Sequence, residues 1–197
     1  MADSPRICVF CGSSSGISPA YAQAARRVGE ALVRHGVDLV YGGGQVGLMG
    51  IVADAVLEAG GKAFGVIPQA LATKEIAHHG LTELHVVSGM HERKALMATL
   101  STAFLTLPGG IGTFEEFFEI LSWGALGIHR KPIGILNVDG YFDPLNALLD
   151  HGIAQQFIPH GSLHPLIIDD DPDSLIRQLL AYVPPPVRRR WIKIEET

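Results

Sequence analysis

Two adjacent glutamates, Glu115 and Glu116, stand directly behind the run Pro108-Gly109-Gly110-Ile111-Gly112-Thr113. The proline ends whatever strand precedes it, and the glycines clear space for a ligand against the backbone. If Gly112-Thr113 opens a helix, its unpaired amides face that space and favour an anion. A carboxylate just behind an anion site can orient or deprotonate water, or stabilise positive charge developing on a group that the anion tethers. For Glu115 and Glu119 a simpler reading suffices, an acidic first turn complementing the helix dipole. Glu116 is left as the candidate for chemistry.

Two other loops could hold an anion. "GGGQVG", Gly42 to Gly47, matches GxGxxG between a strand and a helix, the context of a dinucleotide fingerprint. A nicotinamide cofactor would also need an acidic residue at the end of the next strand, and "GVIPQA" offers none, so no cofactor is expected. A phosphate contact through Gly42, Gly43, Gly44 and Gly47, or a structural tight turn, remains. "CGSSSG" supplies Ser13 and Ser14 at another strand-to-helix junction, as phosphate ligands or as a plain connection. Arg93 and Lys94 fall in the first turn of a helix beginning "MHERKALM", where the dipole disfavours cations unless an anion is near. For Lys94 ordinary surface charge is an equal alternative. Arg93 shares a face with Met90 and Met97.

These loops need a frame. Apolar, β-rich runs occur at Ile7–Cys11, Asp38–Tyr41, Ala63–Ile67, His85–Val87, Ala103–Leu107, Ile133–Val138 and Leu166–Ile168. Helical patterns fill the intervals at Pro19–His35, Leu48–Ala59, Met90–Ser101, Gly112–Gly127, Pro144–Gln156 and Pro172–Tyr182. Ser18-Pro19, Asp143-Pro144 and Asp171-Pro172 each read as an N-cap followed by proline at the first helical position. Near-continuous apolar strands alternating with helices predict a single Rossmann-like α/β domain over residues 1–183. Its mostly parallel sheet of about seven strands would be covered by helices on both faces. In such a sheet ligands bind beyond the carboxyl ends of the strands, which selects the three loops above.

With 197 residues and a formal charge of −5, the chain fits one domain and has no broad electrostatic reason to bind nucleic acid. Its dense basic cluster, Arg188 to Arg190, lies in a C-terminal tail, 184–197, after three prolines, and reads as solvated or as a subunit contact. No signal peptide or membrane-spanning apolar stretch is evident, so a cytoplasmic location is expected. Cys8 and Cys11 form a CxxC, but residues three apart on a strand point to opposite faces, so two separate thiols are expected rather than a metal site. The histidines, His78-His79 included, form no coherent ligand pattern.

The helix from Gly112 can be oriented by its period. Phe114, Phe117, Phe118, Leu121 and Ala125 form the stripe expected to face the sheet. Glu116 then lies nearly opposite, with Ile120 and Trp123 beside it as a second apolar line. Such a line predicts a second cover, expected to be another subunit, with a homodimer formed by this helix and the one beginning at Met90, the alternative being a loop of the same chain, Leu71 to Thr82.

Taken in order, "RICVFCGSSSG", "DLVYGGGQVGLMG", "GVIP", "MHERKALM", "PGGIGTFEE" and "WGALGIHRKPIGILNVDGYFDPL" resemble the LONELY GUY (LOG) family over nearly the whole chain. These are cytokinin riboside 5′-monophosphate phosphoribohydrolases, once labelled lysine decarboxylases. The resemblance implies hydrolysis of a nucleoside 5′-monophosphate to free adenine, or N6-substituted adenine, and ribose 5-phosphate, with no cofactor or metal. It implies that Arg93 and Glu116 are the catalytic pair. It also implies substrate contacts at Glu75, Arg93, Lys94, Gly109, Gly110, Ile111, Gly112, Thr113, Glu115 and Ser122. The segment "ATKEIAHHGLTEL" matches only around Glu75. A decarboxylase would need a Schiff-base lysine with a partner for the pyridine nitrogen, and none of the lysines has that setting. The alternative from another class is a nucleotide-binding sensor or carrier, which would need the glycine loops but not the Arg93 and Glu116 pair.

Overall fold

The computed structural model describes residues 4–72, 77–161, 163 and 166–184. Glu75 and all of the tail beyond Pro184 lie outside these residues. The strands are β1 (Arg6–Phe10), β2 (Asp38–Tyr41), β3 (Ala63–Pro68), β4 (Glu83–Val87), β5 (Ala103–Thr106), β6 (Ile133–Leu136) and β7 (Leu166–Asp169). They form a seven-stranded sheet in the order β4-β3-β2-β1-β5-β6-β7, with every strand pair parallel. The helices are α1 (Pro19–Arg34), α2 (Gly47–Glu58), α3 (Gln69–Ala72), α4 (Met90–Leu100), α5 (Ile111–Leu126), α6 (Asp143–Ala154) and α7 (Pro172–Ala181).

Each face of the sheet has its own core. Ile7, Val9 and Cys11 point into a cluster with Val28 and Leu32 of α1, Val52 of α2 and Leu175 of α7. Cys8 and Phe10 point the other way, to Met97 of α4, Phe117 and Ile120 of α5 and Leu149 of α6. Period-two alternation therefore separates the cysteines of the CxxC onto opposite faces, as the sequence predicts, and both are free. Burying each such aliphatic side chain stabilises the fold by about 1.5–3 kcal/mol.

The caps divide two to one. Ser18 Oγ accepts from Ala20 N at 3.3 Å, and an Asp171 carboxylate oxygen accepts from Ser174 N at 2.9 Å. Asp143 does not cap; it sits inside α6 behind Phe142, and its carboxylate accepts from Asn137 Nδ2 at 2.7 Å. The same Asn137 side chain accepts from Phe142 N at 2.8 Å and so closes a 3-10 turn, Val138–Gly140, that the sequence reading does not contain. The short helix α3 is likewise new.

α5 is rotated relative to the expected stripe. Its buried residues are Thr113, Glu116, Phe117, Ile120 and Leu121, whereas Phe118 and Ala125 are exposed. Glu116 thus lies on the sheet-facing side rather than opposite it, and Ile120 belongs to the core of its own chain. Trp123 is half-buried against that same core.

Candidate active site

The strand order diverges between β1 and β5, and the crevice beyond their carboxyl ends is the place where such sheets bind ligands. It has a volume of about 210 Å³ and is lined by Ser13, Ser14, Tyr21, Gly109, Gly110 and Tyr141, among others. Its walls are the "CGSSSG" and "PGGIGT" loops, fastened together by Gly12 N donating to Pro108 O at 3.1 Å. Gly109 must be glycine. A Cβ there would come within 2.1 Å of Thr113 Oγ1 and 2.8 Å of Gly12 N. At Gly110 and Gly112 a Cβ would meet nothing within 4 Å, so that end of α5 faces open space. The first intrahelical bond runs from Phe114 N to Gly110 O, which leaves the amides of residues 110–113 without helical acceptors. With the helix dipole behind them, these amides suit a phosphate.

One turn beyond Thr113, on the same buried face, is Glu116. Arg93 Nη1 stands 3.3 Å from Glu116 Oε1, and both side chains are about nine-tenths buried. Arg93 Nε donates to Val66 O within β3, at 3.1 Å. Gly42 makes room for this guanidinium, since a Cβ there would lie 1.9 Å from Arg93 Nη2. Burial pushes the Glu116 carboxyl up to about 7; Arg93 opposes the rise and the neighbouring Glu115 adds to it. A carboxyl that changes charge near neutral pH is suited to taking a proton and giving it back.

Of the residues singled out by sequence, Ser13, Ser14, Gly109 and Gly110 line the crevice, and the other described ones lie outside its lining. Lys94 is buried on α4, and its Nζ bonds Glu115 and, at 3.0 Å, Glu119. Burial alone would lower the Lys94 ammonium, but these two carboxylates outweigh it and hold it above its ordinary value. Ser122 is exposed further along α5, Ile111 is exposed at its start, and Ser13 and Ser14 are exposed at the crevice mouth. Gly42, Gly43 and Gly44 are buried. Gly43 O accepts from His78 N at 2.9 Å and Gly44 forms a β-bridge with Ala77, so this part of the loop is occupied in packing. Gly47 packs on the serine loop, where a Cβ would lie 2.3 Å from the Ser13 carbonyl carbon. Two participants were not singled out by sequence, the Val66 carbonyl that anchors Arg93 and the Tyr141 phenol that donates to Gly109 O. The signal for the second was there, an Asp-Gly turn leading directly into an aromatic pair.

These features define a Rossmann-like α/β protein with a strand-end crevice at a helix terminus suited to an anion, and a buried carboxylate one turn further along that helix. Residues 49–179 match the family model described as "Possible lysine decarboxylase". Over 179 residues, 91% of this chain, it is 52% identical to the probable cytokinin riboside 5′-monophosphate phosphoribohydrolase LOGL9 of Oryza sativa subsp. japonica, covering 79% of that protein. It is 48% identical to the phosphoribohydrolase LOG7 of Arabidopsis thaliana, again over 91% of this chain and over 82% of the relative. The chain therefore belongs to the family of cytokinin riboside 5′-monophosphate phosphoribohydrolases. Solved structures share its fold. The molybdenum cofactor binding protein of Rippkaea orientalis aligns with a TM-score of 0.70 at 20% identity, covering 92% of this chain and 98% of that one. The molybdenum cofactor carrier protein of Chlamydomonas reinhardtii aligns with a TM-score of 0.68 at 22% identity, over 91% and 100% of the two chains. Among the described residues, Lys94 and Lys131 are engaged in ways that do not fit the decarboxylase description. Lys94 is taken up by two glutamates, and Lys131 Nζ donates to Ala98 O at 2.6 Å.

Proposed function

We propose that this protein hydrolyses the N-glycosidic bond of adenosine 5′-monophosphates, plain or N6-substituted, to free base and ribose 5-phosphate. The observation that carries this reading is the buried Arg93–Glu116 pair one helical turn behind the amides of the α5 N-terminus. The 5′-phosphate is held by those amides and by Ser13 and Ser14, and this fixes the ribose relative to the carboxylate. As the C1′–N9 bond lengthens, its electron pair leaves with the base and positive charge builds on the sugar. The Glu116 carboxylate stabilises that charge and accepts a proton from the attacking water, whose oxygen bonds to C1′. The departing base takes up a proton, so water is divided between the two products. Arg93 keeps Glu116 oriented, and binding energy from the remote phosphate is used at the reacting carbon.

The test is release of free base from AMP, isopentenyl-AMP and adenosine by the purified protein. The monophosphates should react at least about tenfold faster in kcat/KM than the nucleoside, because charge-assisted bonds of about 1.5–3 kcal/mol each are lost with the phosphate. Equal rates for AMP and adenosine would sink the proposal.

The working form is a homodimer built on α4 and α5. The basis is not the expected Ile120 and Trp123 line but the face these helices expose, with Met90, Ile111, Phe118 and Leu126 all over one-third accessible. Lys94 and its glutamates tie α4 to α5. Exposed apolar surface of this kind marks an interface. Light scattering should give twice the chain mass for the wild type and a monomer for Phe118→Glu, and a monomeric wild type rejects the dimer. No helix among the described residues is long and apolar enough to cross a membrane. A cytoplasmic location suits the two free, buried cysteines and can be checked by fractionation.

A further inference from the structure

The Gly109–Gly110 peptide has glycine on both sides, which makes it the easiest kind of peptide to invert. Inversion exchanges the directions of the Gly109 carbonyl and the Gly110 N–H, because in a planar trans peptide the two point opposite ways. At this position the exchange matters. Gly110 is the N-cap of α5, its amide is one of those at the anion-holding terminus, and an inverted peptide would offer an oxygen to the phosphate in place of a donor.

Tyr141 holds the carbonyl side. Its phenol donates to Gly109 O, on the side of the peptide opposite the Gly110 N–H. The ring is fixed by edge contacts with Tyr21 and Phe142, at centroid distances of 5.7 and 5.0 Å, and lies 6.5 Å from Phe114. Its backbone is delivered by a purpose-shaped turn. Asp139 and Gly140 are both left-handed, with φ of 51° and 71°, and Asn137 closes the turn by accepting from Phe142 N and donating to Asp143. One left-handed aspartate, a glycine that adopts that region freely and two side-chain bonds thus set one hydroxyl against one carbonyl.

We infer that Tyr141 is a positioning residue for substrate phosphate, whose hydroxyl locks the Gly109–Gly110 peptide so that the Gly110 N–H faces the crevice. The inference rests on the reading that the α5 terminus receives the 5′-phosphate. Tyr141→Phe keeps the ring packing and removes only the lock. The Kd for ribose 5-phosphate, measured by calorimetry, should rise roughly three- to tenfold, the worth of one net hydrogen bond. The KM for AMP should rise in parallel, with kcat within about twofold and kcat/KM falling less for adenosine than for AMP. A purely structural role would instead lower kcat for both substrates along with the melting temperature.

Gly110→Ala supplies a second readout. The inverted peptide carries Gly110 from φ −97° to a positive φ, which alanine resists, while the added Cβ meets nothing within 4 Å in the observed form. Gly110→Ala should therefore cost less, or even restore binding, when Tyr141 is already Phe than when it is intact. Unchanged ribose 5-phosphate affinity in Tyr141→Phe, a loss shared equally by adenosine, or additive effects of the two substitutions would overturn the inference. A wild type that binds ribose 5-phosphate but leaves AMP intact would overturn the hydrolase reading alone.

Discussion

Replacing Glu116 with glutamine is expected to lower turnover by roughly 10² to 10³ while ribose 5-phosphate binding survives, since the amides that hold the phosphate are untouched. Glutamine keeps the size of the side chain and one acceptor oxygen but cannot take a proton or carry charge. The wild-type pH profile should show the same group. With its carboxyl pushed by burial to about 7, Glu116 is protonated on the acid side, so kcat/KM should rise with pH and level off above about 7. In Glu116→Gln the residual activity should lose this limb. Stability should move in the opposite direction from activity. The folded protein raises the carboxyl from its ordinary 4.5 to about 7, so it binds a proton more tightly than the unfolded chain. That stabilisation is full below about 4.5 and is lost as pH rises through about 7. Glu116→Gln, which stays neutral, should melt above the wild type at pH 8, with the gap closing toward pH 5. A variant with normal turnover would remove Glu116 from the mechanism.

Why the strands and helices were readable, and the orientation of α5 was not, follows from where each signal resides. A parallel strand covered on both faces must be apolar almost throughout, so runs such as Ala103–Leu107 identify themselves, and Ser18 and Asp171 mark helix starts through local bonds. α5 is different. It carries apolar residues around most of its circumference, and the residue that would ordinarily mark the solvent side, Glu116, is buried. Its burial depends on Arg93, which reaches the site from another helix and is itself anchored on β3. Gly42 has the same character. In sequence it belongs to a phosphate-loop pattern; in the fold it lies against the Arg93 guanidinium. Asp143 looked like a cap because it precedes a proline, yet Asn137 engages it in the turn that presents Tyr141. The chemistry-bearing residue types were legible one by one. The Arg93–Glu116 pairing was reached only through the family resemblance, because in the residues alone it joins segments distant in the chain.

Arg93→Ala separates the two roles open to this arginine, orienting Glu116 or gripping the substrate. Its guanidinium lies 3.3 Å from the Glu116 carboxylate and favours the ionised form, partly offsetting the effect of burial. Without it the carboxyl should climb further, and the acid limb of kcat/KM should move up by roughly one pH unit, the smaller end of what a nearby opposite charge contributes. Turnover at pH 7 should fall by about 10², through both the lower ionised fraction and the loss of a fixed orientation. Stability should respond with the same sign. At pH 8 the ionised Glu116 would be buried without its partner, so the variant should lose more melting temperature there than at pH 5, where the carboxyl is neutral. Arg93→Lys is the control. An ammonium keeps the charge but cannot reach Val66 O and Glu116 together as a rigid fork, so it should return the limb toward its wild-type position while leaving turnover low. If Arg93 acted on the substrate alone, KM would rise and the limb would stay where it is. An unmoved limb in Arg93→Ala, measured with AMP across pH 5 to 9, would exclude the orienting role.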